Sequence, residues 1–150
     1  MLVREVMTRK VITVHPSESF SAMVKLLIAK KISGFVVTDH KGKVLGVISE
    51  KDLLYKLFPS QKNFYKNLEY YMNYENIDKD AKKVRKLKAK DFMSKKIISV
   101  RSDENIIKAC SLFIVHSIRR LPVIDDGKLV GIVTIGNIYK NFLGTLVNNH

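Results

Sequence analysis

Residues Val6–Leu57 read VMTRKVITVHPSESFSAMVKLLIAKKISGFVVTDHKGKVLGVISEKDLLYKL, and residues Phe92–Phe142 read FMSKKIISVRSDENIIKACSLFIVHSIRRLPVIDDGKLVGIVTIGNIYKNF. The second stretch repeats the first. The offset is 86 residues up to Asp39/Asp125 and 85 after a one-residue gap near His40. Met7/Met93, Val14/Val100, Glu18/Glu104, Ile32/Ile118, Gly42/Gly127 and Gly46/Gly131 are identical pairs. A small unit present twice can bury its apolar faces against its own duplicate, so the repeat constrains fold and site together.

Working outward, each copy carries the same signals in the same order. A short apolar strand comes first, Val11–Val14 and then Ile97–Val100. Ser17 or Asp103 is the expected helix cap, each followed by glutamate in the first turn. Phe20, Met23, Val24 and Leu27, and in the second copy Ile106, Ala109, Cys110 and Phe113, then fall at i, i+3, i+4, i+7, which predicts an amphipathic helix. Two strands follow across a tight turn, Phe35–Thr38 with Val44–Ser49 and Leu121–Ile124 with Leu129–Thr134. Gly42 and Gly127 supply the positive-φ residue such turns want. A last helix spans Glu50–Leu57 or Ile135–Phe142. The fold class is α/β, built from two βαββα repeats at 3–57 and 89–142, with residues 1–150 forming one module.

Residues 58–88 belong to neither copy. This insert holds Phe58, Phe64, Tyr65, Tyr70, Tyr71 and Tyr74, and Asn63–Tyr74 is read as a helix. Its aromatics have two readings: packing on the repeats or a second subunit, or stacking on nucleic acid beside its lysines. The chain's formal net charge is +13. That excess attracts polyanions, or else it is a lysine-rich solvated surface.

The bulk properties narrow the class. At 150 residues and 46% hydrophobic content the chain suits one compact domain or two small units sharing a core. No apolar run reaches the roughly 18–20 residues of a membrane span, so no membrane span is expected. The start, MLVREVMTRK, lacks the apolar core of a secretory signal. Cys110 is the single cysteine and sits on an apolar helix face, where a structural thiol is expected. These features point to a cytoplasmic protein.

The junction between last strand and last helix is the candidate site. It reads Gly46-Val47-Ile48-Ser49-Glu50-Lys51-Asp52 in the first copy and Gly131-Ile132-Val133-Thr134-Ile135-Gly136-Asn137 in the second. A hydroxyl at the strand end and a carboxylate three residues on lie on one side of the first helical turn. The carboxylate can accept from two ribose hydroxyls, and the helix start favours phosphate. Ser49 with Asp52 is therefore a candidate ribose-phosphate clamp; the plainer alternative is a capping pair.

Two copies of V-M-T/S, V-I-x-V, helix, strand, D-x-G-K, G-h-h-S/T and helix resemble the CBS-domain family. The resemblance covers Val3–Leu57 and Ala89–Phe142. It implies pseudo-two-fold packing of the units as a Bateman module, a nucleotide-binding regulatory pair that serves energy sensing and related control. The implied ligands are AMP, ADP, ATP or S-adenosylmethionine. Carried over residue by residue, it implies a first pocket with Asp52 on ribose, Ser49 on ribose or phosphate, and Ser94, Ile97 and Ile98 around the base. In the second pocket Thr134 and Asn137 take those roles, with Thr8, Val11 and Ile12 around the base. Arg119 and Arg120 match phosphate-contacting positions; their alternative is a solvated surface or an ion pair with Asp125 or Asp126. Asn137 stands where aspartate is expected and cannot act as a double acceptor. The first copy has Ser33 and Gly34 where the second has the two arginines, so the better ribose group and the better phosphate groups belong to different copies; one dominant site is expected, with Asp52 favoured by a small margin.

Catalysis is not expected. His15, His40, His116 and His150 fall in no metal-ligand spacing, and no nucleophile elbow, Walker loop or dinucleotide-binding glycine motif is present. No catalytic cofactor and no metal are implied. The leading expectation is a stand-alone regulatory module, dimeric, that binds an adenosyl ligand and signals to a partner protein. The alternatives are a nucleic-acid-binding protein using the insert, and a ligand-free dimerisation scaffold.

Overall fold

The computed structural model describes residues 1–58 and 61–148; His150 lies outside them. In chain order the elements are α1 (Val3–Val6), β1 (Thr13–Val14), α2 (Phe20–Lys30), β2 (Gly34–Thr38), β3 (Val44–Ser49) and α3 (Glu50–Leu57). The insert supplies α4 (Gln61–Lys66), α5 (Leu68–Met72) and α6 (Tyr74–Val84). The second copy supplies α7 (Ala89–Phe92), α8 (Ile106–His116), β4 (Arg120–Asp125), β5 (Lys128–Thr134), α9 (Ile135–Ile138), a π-helical turn (Tyr139–Leu143) and α10 (Gly144–Asn148). The α/β class and the duplicated element order are as expected.

The chain forms two compact units that exchange their lead segments. One comprises Met1–Ile12, Lys41–Val44 and Lys96–His150; the other comprises Thr13–His40 and Leu45–Lys95. We call them the second-copy unit and the first-copy unit. The lead segment of each sequence repeat thus folds with the body of the other repeat.

Within the first-copy unit, β1, β2 and β3 form one sheet in that order, with Thr13 and Val14 parallel to Val36 and Val37. Phe35, Val36, Val37, Ile48 and Met23 are fully buried. The lead helix α7 docks beside α2: Ala89 N–H donates to the Glu18 carbonyl at 2.8 Å and Lys90 N–H to Pro16 at 2.9 Å. Phe20 and Phe92 stack at 5.7 Å.

The second-copy unit repeats this. Val3 N–H donates to Glu104 at 2.8 Å and Arg4 N–H to Ser102 at 2.9 Å, at the corresponding positions. Its core joins Val3 and Val6 of α1 to Val100, Ile106, Ala109, Phe113, Leu121, Val123, Val133 and Ile138. Cys110 packs at the edge of that core as a free thiol.

These docking bonds move the caps. Ser19 and Asn105, not Ser17 and Asp103, cap α2 and α8, accepting from Ala22 N at 3.2 Å and Ile107 N at 2.9 Å. The carbonyls of residues 16 and 18, and of 102 and 104, serve the lead helices, so each main helix starts two residues later. Asp103 instead pairs with Arg101.

The lead strands are also shorter than expected. In the second copy Ile97–Val100 reduces to a single parallel bridge, Val100 to Val123. Val100 N–H donates to Pro122 O and Ile124 N–H to Val100 O. The next bond of that ladder would need an N–H on Pro122, which proline lacks.

The turns are as expected, with φ +79° at Gly42 and +76° at Gly127. The helix expected at Ile135–Phe142 is not uniform. It widens to a π-turn where the Asn141 side-chain amide donates to the Asn137 carbonyl at 2.9 Å, the acceptor an α-helical N–H would use.

In the insert, the single expected helix at Asn63–Tyr74 is three. Asn67 ends the first and Asn73 caps α6, accepting from Glu75 N at 2.9 Å. The aromatic rings divide into a packed set and an exposed set. Phe58, Phe64 and Tyr71 pack on one another, Phe64 stacking on Tyr71 at 5.2 Å. Tyr65 and Tyr74 are exposed.

Candidate functional site

Each unit carries one strand-to-helix junction closed by an exchanged segment. In the first-copy unit, β3 ends at Ser49 because its hydroxyl caps α3. Ser49 Oγ receives the Asp52 N–H at 3.4 Å, and Asp52 Oδ2 receives the Ser49 N–H at 2.7 Å. Ser49 Oγ–H also donates to Oδ2 at 3.0 Å. The helix start is further held by Glu50 N–H donating to the Ser33 carbonyl at 3.0 Å.

Ser94 reaches this junction from the lead segment of the other repeat. It pairs with Val47 through two backbone bonds of 2.9 and 3.1 Å, two residues before Ser49. Only glycine fits beside that pairing: a Cβ on Gly46 would lie 2.6 Å from the Ser94 carbonyl oxygen. The structure therefore brings Ser49, Asp52 and Ser94 into one unit. Ile97 and Ile98 fall in the second-copy unit, where Ile98 packs on the core.

The second-copy unit builds the same junction from different side chains. Asn137 Oδ1 receives the Thr134 N–H at 2.8 Å and the Thr134 hydroxyl at 2.9 Å, and Asn137 N–H donates to Thr134 Oγ1 at 3.2 Å. Ile135 N–H donates to the Arg119 carbonyl at 3.1 Å. Thr8 pairs with Ile132 through two bonds of 2.9 Å, matching Ser94 with Val47. Here Gly131 makes room for Met7 Sδ, which would lie 2.6 Å from a Cβ. Thr8, Val11 and Ile12 share this unit with Thr134 and Asn137.

The two junctions differ in the capacity left for a ligand. A carboxylate offers about four acceptor sites, and the cap uses two on Oδ2 of Asp52, so the other oxygen serves no role in the cap. An amide oxygen offers about two, both taken by Thr134. The remaining polar group of Asn137 is its Nδ2, a donor, which lies 3.4 Å from Thr8 Oγ1. The capping reading and the clamp reading are thus compatible at Asp52. At Asn137 the cap exhausts the acceptor.

Arg119 is exposed, and half-buried Arg120 stands opposite Thr134 in the strand register, so both belong to the Asn137 unit. Asp125, one candidate ion-pair partner for these arginines, accepts from Ser102 N–H at 2.9 Å. Hydrogen bonding from the Ser102 side chain, and then from its backbone N–H, holds the Asp125 carboxyl below the usual range.

Gly46, Gly131, Met7 and Met93 are the residues whose role the sequence did not disclose. Their signal was present, since all four are identical between copies. His15 serves locally: its Nδ1 accepts from Ser17 N–H at 3.2 Å, and its ring lies 4.3 Å from that of His40. Among the described residues, no group of three or more His, Cys, Asp or Glu is placed to hold a metal ion. No described helix is long and apolar enough to cross a membrane.

Comparison with known proteins places this geometry. A CBS-domain profile matches residues 3–58 and again 89–144, so the chain belongs to the CBS-domain family, as a tandem pair. It is 33% identical to an uncharacterised protein of Methanocaldococcus jannaschii, covering 93% of this chain and 90% of that one. It is 33% identical to the chloroplastic CBS domain-containing protein CBSX2 of Arabidopsis thaliana, over 85% of this chain but only 56% of that protein. Among solved structures, CBSX2 in complex with AMP superposes with a TM-score of 0.73 at 30% identity, covering 99% and 98% of the two chains. The CBS domain pair of protein MJ0100, in complex with 5′-methylthioadenosine and S-adenosyl-L-methionine, gives 0.72 at 25% identity, covering 97% and 98%.

Proposed function

We propose that this CBS pair is a regulatory module that binds an adenosyl ligand at the Asp52 junction of the first-copy unit. AMP, ADP, ATP and S-adenosylmethionine share the group it recognises, a ribose carrying two vicinal hydroxyls. The observation that carries the reading is that Oδ2 of Asp52 holds the helix cap, which leaves the second oxygen to accept from ribose. The adenosyl ligands of two similar CBS-pair structures support it. Ser49 and Ser94 share one unit with that carboxylate. The Asn137 junction is the weaker site, because its outward group donates.

Such a module acts by shifting a conformational population that a partner protein reads, which requires the ligand to favour one state over the other. Self-association is part of this reading. Ile28 and Ile114 occupy the same position of α2 and α8 and are 73% and 78% exposed, so the repeat presents a large apolar residue to solvent twice. A second chain is the partner we assign to that surface.

Asp52→Asn tests the site. Asn137 demonstrates that asparagine preserves every bond of the cap, so this variant keeps the fold and loses the acceptor. Asp52→Ala is the poorer test, since it also removes half the capping box. In calorimetry AMP affinity should fall at least tenfold for Asp52→Asn with an unchanged melting temperature; unchanged affinity would reject the site.

A further inference from the structure

The proposed adenosyl site leaves a strongly basic stretch of the chain unused. Residues 79–90, KDAKKVRKLKAK, hold seven basic residues against the single acid Asp80, a net +6 out of the chain's +13. All seven, Lys79, Lys82, Lys83, Arg85, Lys86, Lys88 and Lys90, are exposed. The physical cause is the amphipathic character of α6. Its inner line, Ile77, Ala81 and Val84, is buried or half-buried, and the cations are left on the outer face.

Neutralisation within the protein is small. Lys82 pairs with Asp78 at 3.1 Å, and Lys83 lies 4.0 Å from Asp80. Asp80 is further occupied by the Tyr70 hydroxyl at 3.2 Å. Among the described residues, Arg85, Lys86, Lys88 and Lys90 have no ion pair. The same face carries a ring. Tyr74 opens α6 at 84% exposure, and Arg85, eleven residues or about three helical turns on, lies in line with it.

We infer that the outer face of α6 and the turn after it bind single-stranded nucleic acid, with Tyr74 stacking on a base and the cations following the phosphates. A flat exposed ring beside a row of cations suits a strand whose bases are unpaired, because every base offers a π-face. A lipid surface fits this face less well. Apart from the Tyr74 ring, the exposed side chains of α6 are Glu75, Lys79, Lys82 and Lys83, with no apolar group to enter a membrane.

The test is fluorescence anisotropy of the full chain with a labelled oligouridine, a duplex of mixed sequence, and vesicles containing phosphatidylglycerol. Five phosphate contacts give a logarithmic salt slope of about −3.5 for a single strand, so affinity should fall about a hundredfold between about 50 and 200 mM salt. Replacing Lys79, Lys82, Lys83, Arg85 and Lys86 together by glutamine should abolish binding. Tyr74→Ala should weaken it about tenfold, within the range of base–aromatic stacking. These side chains are exposed, so the melting temperature and the AMP response should not change. Absence of binding at about 50 mM salt would overturn the inference. So would equal affinity for duplex or vesicles with no effect of Tyr74→Ala, which would mark simple attraction of any polyanion.

Discussion

Asn137 approaches Thr8 across 129 residues of chain, its amide nitrogen 3.4 Å from the threonine hydroxyl. The contact exists because the first lead segment folds onto the second repeat. It also fixes the sense of the asparagine: with the oxygen turned in to Thr134, the outward group is a donor. One substitution therefore distinguishes the two junctions chemically while leaving them alike structurally.

Asn137→Asp should restore the missing acceptor. The cap needs only one oxygen, and Thr8 can rotate its hydroxyl to donate to the other. Calorimetry with AMP should then show a second binding event, or a stoichiometry raised from one to two per chain. An unchanged isotherm would mean that another feature closes that junction.

The exchange of lead segments rests on two glycines with unequal tolerance. A methyl on Gly46 meets a backbone oxygen, which can move only with its strand. A methyl on Gly131 meets first the sulfur of Met7, the end of a flexible side chain, with the Thr8 oxygen farther away at 3.1 Å. Gly46→Ala should cost about 1–3 kcal/mol and Gly131→Ala less, as measured by chemical denaturation. The reverse order would contradict the packing described.

Acid should weaken the second-copy unit through its carboxylates. The Lys108 ammonium and Arg101 N–H hold Glu104 below its usual range, and the Ser102 hydrogen bond does the same for Asp125. Their folded-state values lie below the unfolded ones. The stabilisation is therefore fully present above the ordinary carboxylate range, about 4, and is lost as pH falls through the lower folded values. Melting temperature should decline below about pH 4, and less steeply in Asp125→Asn, which keeps an acceptor but does not titrate. An identical acid limb in that variant would exclude Asp125 as a contributor.

The matched isoleucines lead to a prediction on assembly. Ile28→Lys with Ile114→Lys should leave the melting temperature near that of the parent, since both side chains already face solvent. Light scattering after size exclusion should report a dimer for the parent and a monomer for the double variant. Equal masses would remove that surface from the self-association interface.

Much of this molecule was legible in its sequence, for reasons that can be named. The hairpins were, since Gly42 and Gly127 mark positive φ between apolar strands. The Ser49/Asp52 and Thr134/Asn137 pairs were, since a hydroxyl and a side-chain acceptor three residues on is a local signal. The exchange was not. Helices α1 and α7 are four residues each and show no periodicity, and their docking bonds run to backbone carbonyls that leave no trace in residue type. The same bonds displaced the expected caps from Ser17 to Ser19 and from Asp103 to Asn105. Pro122 was visible, but its effect on the strand opposite depends on a pairing that only the fold reveals. The π-turn accompanies a side-chain bond from Asn141 to the Asn137 carbonyl that residue type alone does not announce.

The most direct test of the central claim is calorimetric titration of AMP into the parent chain and into Asp52→Asn, with melting curves of both. Binding to the parent should be saturable, binding to the variant at least tenfold weaker, and the two melting curves coincident. Equal affinity in the two proteins, with both fully folded, would contradict it.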